Sequence, residues 1–165
     1  MTLRPEIEQK LGQSEPYQTI AFRFVFVFSR YEFALKMAGF IRRKEGPLEA
    51  CWDSYAQCLP ILSEANNRDL NDAVSQLFDR PPRIQRRYGD STAWCAREAG
   101  DHNNATLFQF IRDIRNNLFH GGKVPFREGR DDELLRSSLV ILSECLPINK
   151  AVYDAFCSAE VWVSV

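Results

Sequence analysis

The chain is poor in the groups that metal and nucleophilic chemistry most often use. It has only two histidines, His102 and His120, and its five cysteines (Cys51, Cys58, Cys95, Cys145, Cys157) form an odd set without a C-x-x-C pair. Zinc held by close thiol pairs, or by thiols with nearby histidines, is therefore not expected. The thiols read as reduced core residues. No G-x-S-x-G elbow, H-E-x-x-H motif or glycine-rich phosphate loop occurs. The HGGKV segment contains Lys123 but lacks the upstream glycine spacing and the Ser or Thr that would follow. The most apolar run, Ile20 to Phe28, is too short to span a bilayer and contains Arg23. Arg4, Glu6, Glu8 and Lys10 interrupt the N-terminus, so neither a signal peptide nor a membrane partner is expected, and the cytoplasm is the expected location. The net charge of −1 offers nucleic acid no global attraction, so any such contact must come from local patches.

What is present suggests one helical domain. A chain of 165 residues, 45% apolar, can bury one core and is short for two. The twelve phenylalanines suggest a large aromatic core, or in part a dimer face. Residues 1–15 read as a polar arm or short helix and residues 16–165 as the helical domain. Phe22, Phe24, Phe26 and Phe28 alternate like a strand, but Tyr31, Phe33, Ala34, Met37 and Phe40 continue at helical spacing. The reading is a helix from Pro16 to about Arg43, apolar nearly all round in its first half and so centrally buried. A second helix is expected from Leu48 to about Ser63, broken near Pro60. A third carries Leu70, Val74, Leu77 and Phe78. Residues 80–88 read as a basic loop, and Tyr88 to Ala99 as loosely helical. Helices from Asp131 to about Leu146 and from Asn149 to about Glu160 complete an all-α bundle of about five main helices. Asp131, Asp132 and Glu133 read as first-turn charges rather than metal ligands, because three consecutive carboxylates cannot face one point. No internal repeat or linker divides the chain.

The segment from Ile111 to Lys123, IRDIRNNLFHGGK, concentrates the chemistry. Phe108, Ile111, Ile114, Leu118 and Phe119 mark the buried face of a helix beginning near Asp101. Its end carries Arg112, Arg115, Asn116, Asn117 and His120, and Gly121-Gly122 stops it in the manner of a left-handed cap. Asn116 and His120, four apart, share a face, whereas Arg115 lies about 140° around from His120. A compact site therefore needs a second copy or a neighbouring helix. Histidine can give and take a proton near neutral pH, and arginine offers a planar fork suited to a phosphorane. A His–Arg–Asn set without carboxylate ligands points to metal-free phosphodiester cleavage, with no cofactor.

RNNLFH, Arg115 and His120 with four residues between, resembles the Arg-x4–6-His motif of HEPN domains, with Asn116 in the usual polar place and GGK as a common continuation. YEFALKMAGF and CWDSYA also resemble stretches of uncharacterised bacterial members. The resemblance implies a helical bundle, commonly dimeric, whose two motif copies face one another across the interface. It implies a metal-independent endoribonuclease that leaves a 2′,3′-cyclic phosphate, or else an inactive module binding RNA or a protein partner. An antitoxin or a nucleotidyltransferase is the kind of regulatory partner expected of a toxin or defence component. Some members carry a tyrosine two places after the histidine as the target of that nucleotidyltransferase, and here Gly122 stands there. Arg115, Asn116 and His120 are the expected catalytic residues. Asn117, with Glu32 and Lys36 four apart on the first helix, are expected to support them. Glu32 would orient the imidazole or pair with Arg115, and Lys36 would meet phosphate. Lys123, Arg80, Arg83, Arg86 and Arg87 are the expected contacts to an RNA backbone, the four arginines followed by Tyr88.

Overall fold

The long aromatic segment is a helix, and it is longer than its sequence suggests. In the computed structural model, which describes residues 5–42, 47–97, 100–119 and 129–158 (the backbone alone for 5–18), α1 spans Pro5–Met37. It runs through Pro16, where the expected helix began, although a proline there forgoes one backbone hydrogen bond. The α1 helix is not buried all round. Successive alternate residues of a helix point about 200° apart, so the four phenylalanines divide. Phe24 and Phe28 enter the core, whereas Phe22 and Phe26 are 72% and 59% exposed. Gly39, at φ +85°, ends the helix: its N–H reaches Lys36 O, and the Phe40 N–H reaches back to Leu35 O at 2.9 Å.

The fold is mostly helical, but it is not the all-helical bundle expected. Two antiparallel two-stranded sheets interrupt the helices among the described residues: β1 (Ile41–Arg42) with β2 (Glu49–Ala50), and β3 (Arg83–Tyr88) with β4 (Ser91–Ala96). The first takes up the start of the expected second helix, leaving α2 as Trp52–Gln57, followed by a 3-10 turn at Leu62–Glu64. Pro60 ends what remains. The second sheet replaces both the expected basic loop and the expected loose helix. Arg83 pairs with Ala96 and Tyr88 with Ser91, so Gly89-Asp90 is a two-residue turn with Gly89 at φ +58°.

The remaining helices are α3 (Arg68–Asp79), α4 (Asn104–Phe119), α5 (Arg130–Cys145) and α6 (Lys150–Cys157). Side-chain caps start three of them: Asn67 accepts from the Leu70 N–H, Asn103 from Thr106 and Asn149 from Val152. The first turn of α5 carries Asp131, Asp132 and Glu133. Asp132 pairs with Arg136, while Glu133 accepts from Gln76 and Arg80. The core is aromatic at its centre. Trp52 stacks on Phe28, Tyr31 and Phe108 with ring centroids 5.0, 5.7 and 5.6 Å apart. Of the five thiols only Cys145 is buried; the others, expected in the core, are half-buried or exposed. Among the described residues no helix is long and apolar enough to cross a membrane.

The core holds three acids that resist ionisation. Tyr31 Oη lies 3.0 Å from Tyr55 Oη, which donates to Cys145 O at 3.1 Å. Burial raises both phenols above their ordinary range and pushes the Cys145 thiol from 9.0 up to about 12. Above about pH 9 the unfolded thiol loses its proton while the folded one keeps it, so the unfolded state binds fewer protons and stability falls with rising pH. Each such group contributes a slope of about 1.4 kcal/mol per pH unit, the tyrosines joining above about pH 10. The melting temperature should therefore decline between about pH 9 and about pH 11, and Cys145→Ala should flatten the first part of the decline. A level melting temperature over that range would contradict the account.

Candidate functional site

Helix α4 positions the candidate site, and its faces explain how. Leu107, Phe108, Phe110, Ile111 and Ile114 are buried against the other helices. Two polar residues, Asp113 and Asn117, are buried as well, at 5% and 9% exposure. They lie four apart, on one strip of the helix, and both hold the β3–β4 hairpin. Asp113 takes both arms of Arg97, just past β4: Nε on one carboxylate oxygen and Nη2 on the other at 2.9 Å. Gln109 donates to the same carboxylate at 3.0 Å. Asn117 Nδ2 donates to Arg83 O, at the start of β3, at 2.7 Å. The base of the hairpin is thus fastened at both strands to one strip of α4. The expected supporting residue Asn117 is occupied with this attachment.

Arg115 stands on the opposite side of α4 and Asn116 between the two, both half-buried. Arg115 Nη1 donates to Asn116 Oδ1 at 3.1 Å. The guanidinium lies over the Phe119 ring at 4.6 Å and reaches the Phe28 ring at 5.8 Å, so two aromatic faces hold it. Phe119 itself, expected on the buried face, is 57% exposed. One turn earlier, Arg112 donates to Gln109 at 3.1 Å and lies 4.0 Å from Asp53, whose other oxygen takes Arg42 at 2.9 Å. Beside Arg42, the hydrogen bond from Ser54 at 3.0 Å, and secondarily Arg42 itself, holds the half-buried Cys51 thiol below the ordinary thiol range.

The other sequence-derived candidates divide. His120 and Lys123, with Gly121 and Gly122, lie outside the described residues. Glu32 and Lys36 are half-buried on α1, and among the described residues neither makes an ion pair. Arg115 bonds to Asn116 rather than to Glu32. Arg80 precedes the hairpin and is tied to Glu133 at 3.1 Å, whereas Arg83, Arg86, Arg87 and Tyr88 are exposed along β3. His102 stacks on Phe78 at 4.2 Å, before the start of α4. A pocket of about 390 Å³, lined in part by His102 and Asn104, also opens at that N-terminal end, away from Arg115. Among the described residues no three His, Cys, Asp or Glu side chains form a group that could hold a metal ion.

No protein-family model, curated protein or solved structure matches the chain. An arginine fixed by an amide and two aromatic rings is a pre-oriented cation, with donors that no described residue takes and that suit a phosphate oxygen. Sequence reasoning missed the Asp113–Arg97 pair. Its one signal was an acidic residue four before an asparagine in an otherwise apolar stripe.

Proposed function

We propose that this protein is a HEPN-type, metal-independent endoribonuclease acting as a homodimer. The observation that carries the reading is the Arg115–Asn116 pair, hydrogen-bonded on the last described turn of α4, with His120 following in the sequence. In the proposed reaction His120 takes the proton of a ribose 2′-hydroxyl, and the freed oxygen attacks the adjacent phosphorus. Arg115 neutralises the pentacoordinate phosphate, the P–O5′ bond breaks, and a histidine returns a proton to the leaving oxygen. The products are a 2′,3′-cyclic phosphate and a 5′-hydroxyl. The experiment incubates wild type and His120→Ala with mixed RNAs in chelator and identifies the ends. Equal cutting by both defeats the proposal. RNA binding without new ends makes the protein a binding module instead.

A second copy would supply what one helix lacks, since residues five apart, as Arg115 and His120 are in the sequence, diverge by about 140° on an ideal helix. The exposed strip of α1 supports such a contact: Phe22 and Phe26 stack on each other at 6.5 Å, and Met37 on the same helix is 65% exposed. Aromatic residues and methionine of this kind are enriched where protein surfaces meet. A Phe22→Asp, Phe26→Asp variant should keep its circular dichroism, since both rings are exposed, yet run at half the wild-type mass in light scattering. Cleavage should fall at least tenfold with it. An unchanged mass would remove α1 from the interface.

A further inference from the structure

The β3–β4 hairpin concentrates a charge opposite to that of the rest of the chain. Residues 83–96 hold three arginines against one aspartate, +2 in a protein whose total is −1, which leaves −3 for the remainder. The arginines that flank the hairpin reach across to acids elsewhere, Arg80 to Glu133 and Arg97 to Asp113. Arg83, Arg86 and Arg87 line the ribbon. Paired residues share a face, so Arg83 and Arg87 flank the Gln85–Trp94 pair on one side, while Arg86 and Tyr88 stand on the other. Arg87 meets Asp90 at 3.8 Å with both side chains at least 80% exposed, a screened pair that an incoming phosphate can exchange. At the tip Tyr88 is 73% exposed, about 17 Å along the strand from Arg83.

We infer that this hairpin is the recognition element for unpaired RNA, its arginines gripping the backbone and Tyr88 stacking on a base. The inference deepens the ribonuclease reading and rests on it. Duplex RNA suits the ribbon poorly. The deep, narrow major groove of an A-form helix does not admit such an element, and a continuous stack leaves an aromatic ring without a free base face. Unstacked bases provide that face, and cationic heads beside it are the usual arrangement for single strands. The fastening at Arg83 O and Arg97 gives the ribbon a fixed bearing relative to Arg115, because Asn117 and Asp113 belong to the same helix.

The test is fluorescence anisotropy on full-length His120→Ala protein, which spares the probe from cutting. The probe is a labelled, unstructured RNA 20-mer, free or annealed to its complement. Single-stranded RNA should bind at least fivefold more tightly than the duplex. Tyr88→Ala should weaken single-strand binding about tenfold without changing its salt slope. Arg83→Ala, Arg86→Ala, Arg87→Ala combined should reduce the slope of log K against log salt by about 2, since each phosphate contact contributes about 0.7. All four side chains are exposed, so thermal melting should stay close to that of the parent. Duplex preference, an unaltered affinity in Tyr88→Ala or an unaltered slope in the triple variant each overturn the inference. If wild type cuts RNA but the hairpin variants bind as the parent does, only the hairpin assignment falls. Binding of the predicted pattern without cutting by wild type removes only the nuclease chemistry, and no binding at all removes both.

Discussion

His120→Ala should abolish RNA cleavage in a chelating buffer, and Arg115→Ala should come close to doing so. A positioned general base contributes about 10²–10⁴ in rate, and one donor to a developing oxyanion about 10²–10³. The two act on one phosphate, so the double variant should be little worse than the worse single one. Arg115→Lys should not rescue. The arginine's plane is held by Asn116 on its edge and by Phe119 at 4.6 Å on its face, and an ammonium cannot keep both contacts. Mixing separates a composite site from one within a single chain. A dimer of one His120→Ala and one Arg115→Ala subunit retains one intact site, if each site takes its arginine from one copy and its histidine from the other. Random exchange should then restore roughly a quarter of wild-type activity. A mixture that stays inactive beside an active wild type would place each site within one chain. The fold should tolerate Arg115→Ala, because the contact with an exposed ring is worth only about 0.5–1 kcal/mol.

The helices were legible where apolar spacing was unambiguous. Leu70, Val74 and Leu77 on α3, and Phe108, Ile111 and Ile114 on α4, all lie in the core. The phenylalanine alternation resolved correctly to a helix because Tyr31, Ala34 and Leu35 continue its inner face. What failed was the expectation of burial all round. Periodicity reports which residues share a face, not whether a neighbour exists to cover it, and on the Phe22–Phe26 side the described residues supply none. The hairpin was missed because its arginines mask its alternation: on β3 only Ile84 is even half-buried, so no apolar period of two stands out. The two-residue Gly89-Asp90 turn was the available signal. Pairing between β1 and β2 joins Ile41 to Ala50 and Arg42 to Glu49, contacts beyond what local propensity reports. At the candidate site, Arg115 and Asn116 were named from their place at a helix end and from the motif resemblance, and a hydrogen bond joins them. Asn117 was named beside them for the same reason, yet it faces about 100° further round, toward the hairpin. Adjacent residues on a helix end can thus serve different purposes, and only the packing distinguishes them.

Asp113→Ala should be among the most damaging single changes to stability in this chain. The carboxylate is 7% exposed and takes both arms of Arg97, whose side chain is 28% exposed. Removing one partner of a buried pair costs about 3–5 kcal/mol, because the other charge is left without compensation. Water reaching Arg97 moderates this, so a loss of about 2–3 kcal/mol is expected, or about 5–10 °C in melting temperature for a chain of this length. Asp113→Asn keeps an acceptor for Gln109 and should lose about half as much. Removing Arg97 as well should recover part of the loss, because no orphaned charge remains. A melting temperature within about 1 °C of wild type in Asp113→Ala would show that the pair does not hold the hairpin. Amide exchange along β3 and β4 locates the effect. With Arg97 released, only the Asn117–Arg83 bond fastens the ribbon to α4, so its amides should exchange faster while those of α3 and α5 keep their protection. The exposed arginines survive this change, so RNA binding should keep its salt slope even as affinity falls. That combination separates losing the hairpin's charge from losing its bearing on the helix that carries Arg115.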